Sequence, residues 1–102
     1  MKINTVDNGS QVTLEVDGEL TLKSYRDLLD TIETLSERHP APERVTINLG
    51  SVDYADSVGL GSLVRMFMIL KKAGAQMVLR DLQQSLRDSL ALTRLDQLLT
   101  IE

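Results

Sequence analysis

What constrains this chain most is a repeated change in its hydrophobic rhythm. Val12, Leu14 and Val16 alternate with Thr13, Glu15 and Asp17, the period-two pattern of a strand with one buried face. From Tyr25 the period becomes helical: Tyr25, Leu28, Leu29, Ile32 and Leu35 share one face, and Arg26, Asp27, Asp30 and Glu33 take the other. Val45, Ile47 and Leu49 then form a second inner strand, and a helix follows from about Ser57 to Ala73. Gln76 to Arg80 is a buried strand, Gln83 to Thr93 a third helix, and Leu98 to Ile101 a last short strand. Upstream, Lys2 to Val6 pairs with the first alternating segment through the turn residues Asp7-Asn8-Gly9-Ser10. Thr21 or Ser24 caps the first helix, Pro40 and Pro42 stop it, and Gly74 ends the second in the left-handed conformation common there.

The order β-β-α-β-α-β-α-β predicts an α/β fold. A mixed sheet opens with an antiparallel hairpin and continues by right-handed strand–helix alternation, with three main helices packed against it. The 102 residues contain no repeat or linker and are expected to form a single domain over 1–102, long enough to bury a core without staples. In such sheets function gathers beyond the carboxyl ends of the strands, which here is the segment Asp53 to Gly61.

Composition removes several functional classes. No cysteine is present, so disulfides and thiolate metal sites are excluded. The net charge is -4 with scattered positive residues, which argues against nucleic acid and against an anionic membrane surface as partners. The longest apolar run, Met66 to Leu70, is far short of the roughly 20 residues of a membrane span, so no direct membrane insertion is expected. Met1 is not followed by a secretory signal, and a cytoplasmic location is expected.

The candidate chemistry narrows quickly. The only histidine, His39, lies in a polar helix exit with no nucleophile to serve. Gly59-Leu60-Gly61 is a fragment of a dinucleotide fingerprint without its third glycine, and no lysine follows to make a phosphate loop. Asp53 and Asp56 are solvated carboxylates near a helix start, where the dipole favours them. Neither an enzymatic site nor a cofactor is therefore expected. Ser57 has two readings. It is either the N-cap of the second helix or a phosphoacceptor whose phosphate the helix N-terminus can hold. Two glycines in the first turn, Gly59 and Gly61, suggest that something approaches the backbone closely.

At 100° per residue, Leu60, Leu63, Val64, Phe67 and Leu70 form one apolar face of the second helix. Val58, Ser62, Met66, Ile69 and Ala73 lie near the other and carry no charge. That second face is either covered by another helix or exposed to a partner. The expectation is that Val58, Ser62, Met66 and Ile69 are more exposed than Leu60, Val64 and Phe67.

Val52-Asp53-Tyr54-Ala55-Asp56-Ser57-Val58-Gly59-Leu60-Gly61 resembles the signature of STAS domains, specifically the bacterial anti-sigma factor antagonists. The order of elements matches over essentially the whole chain. Val16-Asp17-Gly18-Glu19-Leu20 resembles the family's second-strand exit, and Ala73-Gly74-Ala75 its turn before the next strand. The resemblance implies partner switching. The unphosphorylated antagonist captures an anti-sigma factor that is also a serine kinase; phosphorylation releases it, and a serine phosphatase restores the first state. Ser57 then occupies the phosphoacceptor position and Asp56 the acid before it. Gly59, Leu60 and Gly61 form the docking helix start, with Val58, Ser62, Met66, Ile69, Gly18, Glu19 and Thr21 as further partner contacts. Thr21 stands where the family commonly has an aspartate, and Arg94 where a glycine often ends the third helix. The rival implied by the same resemblance is a STAS subunit of a membrane lipid-transport complex or of a non-sigma signalling pathway.

Overall fold

The structure is a computed structural model describing residues 1–102. Strands β1 (Lys2–Asp7) and β2 (Gln11–Asp17) form the opening hairpin, followed by α1 (Tyr25–Ser36), β3 (Arg44–Ser51), α2 (Ser57–Lys72), β4 (Gln76–Arg80), α3 (Gln84–Leu92), a short 3-10 turn at Leu95–Gln97, and β5 (Thr100–Ile101). The expected order is found, with the 3-10 turn as the one addition. The strands lie in the order β1-β2-β3-β4-β5. β1 is antiparallel to β2, and β2, β3, β4 and β5 run parallel.

Three crossovers that all step the same way across a sheet, each right-handed, put every helix on one face. Burial agrees. Val12, Leu14, Val16, Val45, Ile47, Leu49, Met77 and Leu79 join α1, α2 and α3 in one cluster of 23 buried residues. Val78 is fully buried yet outside that cluster, because its side chain points to the opposite face. There it shares a row with Thr46, its partner in register and also buried. Arg44 and Arg80 converge from neighbouring strands on the Glu102 carboxylate, closing a polar clasp beside that row.

The helices end for local reasons. Gly74 takes φ 84° after α2, the conformation glycine adopts most readily. Arg94 takes φ 60° after α3, so the left-handed turn forms although an arginine occupies it. At α1, Ser24 is the N-cap residue but its side chain does not cap the helix. Its hydroxyl instead accepts from the Thr21 amide and donates to the Glu19 carbonyl, tightening the β2–α1 turn.

The expected division of α2 is corrected. Its buried residues are Gly59, Leu60, Ser62, Leu63, Met66 and Leu70. Met66 is fully buried and Ser62 nearly so, whereas Val64 and Phe67 are half-buried. The inward face is thus rotated toward Met66, because α2 packs on α1 as well as on the sheet. Solvent is met instead by Val58, Gly61, Arg65, Met68 and Lys72, the i, i+3, i+7, i+10 and i+14 positions of the opposite stripe. Ile69 is intermediate.

Candidate functional site

The parallel strands β2 and β3 end side by side, Asp17 pairing with Ser51. The two segments that leave them, Gly18–Ser24 and Val52–Asp56, stay together. An isolated parallel bridge joins Leu20 to Ala55. The Leu20 amide donates to the Tyr54 carbonyl at 3.0 Å, and the Asp56 amide donates to the Leu20 carbonyl at 3.2 Å. Leu20 and Val52 are fully buried and anchor the rim from below.

Helix α2 starts at this junction, and its N-cap is Asp56 rather than Ser57. Asp56 Oδ1 accepts the Gly59 amide at 2.8 Å, the side-chain cap of a helix start. Asp56 Oδ2 accepts the Leu22 amide at 3.0 Å, across 34 residues of sequence. The Gly59 amide first, and the Leu22 amide next, hold the Asp56 carboxyl below the usual carboxylate range. The carboxylate is therefore ionised at neutral pH. Ser57 becomes the first helical residue, exposed at the rim beyond the central strands.

The glycine pair now divides. A Cβ on Gly59 would lie 2.7 Å from the Leu20 carbonyl carbon and closer still to its oxygen. The close approach anticipated at this turn is thus made by the chain's own Leu20. A Cβ on Gly61 would meet nothing within 4 Å. The glycine fragment is explained by packing on one side and by a flat outer surface on the other, not by a phosphate cradle.

Exposed large apolar side chains gather around Ser57. Leu22 is 64% exposed, Tyr54 55% and Val58 38%. Each lies in one of the three segments that Asp56 and Leu20 hold together. Beside Tyr54 a depression of about 250 Å³ is lined by Asp53, Tyr54, Ala55, Ser85, Leu86 and Ser89. A larger hollow, about 460 Å³, lies at the opposite pole around Arg38, His39 and Pro40.

Of the residues singled out from sequence, Ser57, Val58, Gly61 and Glu19 are exposed, and Asp56, Gly18, Thr21 and Ile69 are partly so. Gly59, Leu60, Ser62 and Met66 are buried and present no side-chain surface. The Ser62 hydroxyl donates to the Gly59 carbonyl, a bond internal to the helix. Leu22 and Tyr54 were not anticipated. Their signal was a large apolar residue in a turn that offers it no strand or helix face to bury.

The family model described as "Mlab, STAS domain" matches residues 3–100. Among solved structures, an anti-sigma factor antagonist from Mycobacterium paratuberculosis is 25% identical, with a TM-score of 0.79 over 98% of this chain and 83% of the other. The unphosphorylated form of SpoIIAA, the Bacillus anti-sigma factor antagonist, is 16% identical, with a TM-score of 0.74 over 99% of this chain and 87% of that one. A sulfate transporter family protein from Wolinella succinogenes is 17% identical, with a TM-score of 0.75 over 92% and 75% of the two chains. No helix here is long and apolar enough to cross a membrane.

Proposed function

Because the chain belongs to the STAS domain family, we propose that it is an anti-sigma factor antagonist that works by partner switching in the cytoplasm. One observation carries this reading. Asp56 caps α2, so the adjacent serine is not needed as the cap and sits exposed at the helix start. A serine kinase that is also the anti-sigma factor transfers the γ-phosphoryl group of ATP to Ser57 Oγ. The hydroxyl proton passes to a base of the kinase and ADP leaves. A serine phosphatase returns the hydroxyl by hydrolysis. The protein itself is a binding module, not an enzyme, and needs no cofactor.

The switch is electrostatic. Phosphorylation adds about 1.5 to 2 negative charges at pH 7, next to an ionised Asp56. The positive end of α2 stabilises that charge by about 0.3 to 1 kcal/mol at an exposed site, so the fold persists. A partner closing over Leu22, Tyr54 and Val58 must instead desolvate a phosphate among apolar groups, which opposes association. The partner contacts of this reading are Ser57, Val58, Gly61, Glu19, Gly18 and Thr21, with Leu22 and Tyr54 added.

The test is a titration with a serine kinase of the anti-sigma factor class, which phosphorylates the wild-type protein. Ser57→Ala binds it persistently and takes no phosphate. Ser57→Asp folds normally and binds at least about tenfold more weakly, a difference of 1.4 kcal/mol. Equal affinity of wild type, Ser57→Asp and phosphoprotein refutes the switch. The second reading, a subunit of a transporter assembly, draws on the likeness to the sulfate transporter family protein. Copurification with transporter subunits whatever the state of Ser57 selects it.

A further inference from the structure

The Asp56 carboxylate holds two elements with two different oxygens. Oδ1 fastens the start of α2 through the Gly59 amide, and Oδ2 fastens the β2–α1 turn through the Leu22 amide. A cap needs only the first of these. The second reaches a turn that is otherwise tied to itself. The Thr21 amide donates to Ser24 Oγ, the Lys23 amide donates to Thr21 Oγ1, and Ser24 Oγ donates to the Glu19 carbonyl. Below it, Leu20 is fully buried and bonded to Tyr54 and Asp56 through its backbone. The turn is therefore a small rigid knot on a fixed stem, and Asp56 Oδ2 sets where Leu22, the most exposed apolar side chain at this rim, is presented.

We propose that Asp56 is a positioning residue that couples Ser57 to the Leu22 turn, and that a phosphate on Ser57 unfastens this turn from α2. The proposal rests on Ser57 being the phosphoacceptor and adds a conformational component to the electrostatic block. The phosphate brings three strong acceptor oxygens to the start of α2, where they compete with Asp56 for its amides, the Gly59 amide above all. It also places a like charge on the residue next to Asp56. The carboxylate loses its hold where it is least supported, at the exposed Leu22 amide, while the buried stem at Leu20 stays in place. Phosphorylation then removes part of the docking surface as well as placing charge on it.

Amide hydrogen exchange of the intact protein, read residue by residue by NMR, tests this without any kinase. The probe is phosphoserine inserted at position 57 during translation. Leu22 is expected to exchange at least about tenfold faster than in the unmodified protein, the size expected for losing a hydrogen bond to a charged acceptor. The amides of Leu20, Val45, Ile47 and Leu49 should keep their rates. Asp56→Asn should reproduce the effect, because a carboxamide offers one oxygen to two donors. Ser57→Ala should not. Unchanged protection of Leu22 in the phosphoserine protein overturns the proposal, and so does uniform acceleration of all amides. If Asp56→Asn fails to fold, the phosphoserine protein still decides. Failure of a serine kinase of the anti-sigma factor class to phosphorylate Ser57 would remove the partner-switching reading and leave this measurement standing.

Discussion

Replacing Gly59 and Gly61 by alanine, one at a time, should move stability in opposite directions. Both glycines lie in α2, and on propensity alone alanine gains up to about 1 kcal/mol at a helical position. At Gly61 nothing opposes that gain, since the added Cβ has open space around it. The expected stabilisation is about 0.5 to 1 kcal/mol. At Gly59 the Cβ would overlap the Leu20 carbonyl, whose oxygen must retreat by about 1 Å to reach the closest contact real Cβ atoms make. Leu20 cannot give way cheaply. Its carbonyl accepts the Asp56 amide, its amide donates to Tyr54, and its side chain is fully buried. Losing two such bonds costs about 1 to 3 kcal/mol, and the strain of overpacking adds a similar amount. After the helix gain is subtracted, Gly59→Ala should be destabilised by about 2 kcal/mol or more. Urea unfolding followed by circular dichroism measures both, and in melting temperature each kcal/mol is about 4 to 8 °C for a domain of this size. A Gly59→Ala protein as stable as wild type would refute the account of the rim as two strand exits pressed together. A destabilised Gly61→Ala would refute the open outer surface.

The rotated face of α2 predicts that Met66→Ala costs about 2 to 5 kcal/mol, whereas Met68→Ala, 59% exposed in the parent side chain, stays within about 0.5 kcal/mol; matched denaturant melts decide it. Arg94→Gly relieves a left-handed backbone on a side chain that disfavours it and should stabilise by about 0.5 to 1 kcal/mol, read as a raised melting temperature. Asp56 is held below the usual range by the Gly59 and Leu22 amides, and Glu102 by its hydrogen bond to Arg80 above other causes. Depressed folded-state values mean that their contribution is present above the ordinary carboxylate range of about 4 and is lost as pH falls through the lower folded values. Stability followed by acid titration should therefore drop in that window, and drop less in Asp56→Asn.

The fold was legible because each change of hydrophobic period coincides with a change of element, and Gly74 and the two prolines punctuate it. The face of α2 was not, because Ser57 to Val64 carries no charge to mark the solvent side. The marks lie further on. Arg65 and Lys72, seven apart, define the outward stripe, and Met66 sits 100° round from Arg65 toward the core. The cap was ambiguous for a different reason: Asp56 and Ser57 are both favoured cap residues, and one residue of helix register decides between them. The Arg44–Glu102–Arg80 clasp could not be seen at all, since its members meet only through the parallel register of β3, β4 and β5.

The direction of β1 has a practical consequence. Because it runs antiparallel to β2, Lys2 pairs with Asp17, at the pole where Ser57 lies. β5 runs parallel and ends at Ile101 opposite Leu79, so it exits at that pole too. Any polypeptide joined ahead of Met1 or beyond Glu102, whether an affinity tag, a fluorophore or a neighbouring domain, leaves the sheet from an edge strand at the pole where the serine lies. Fusions at either end will crowd a visiting kinase and can mimic weak binding. The β1–β2 turn lies at the far end of the sheet, and exposed Asn8 there, rather than Gly9 with its φ of 82°, is the better place for a label.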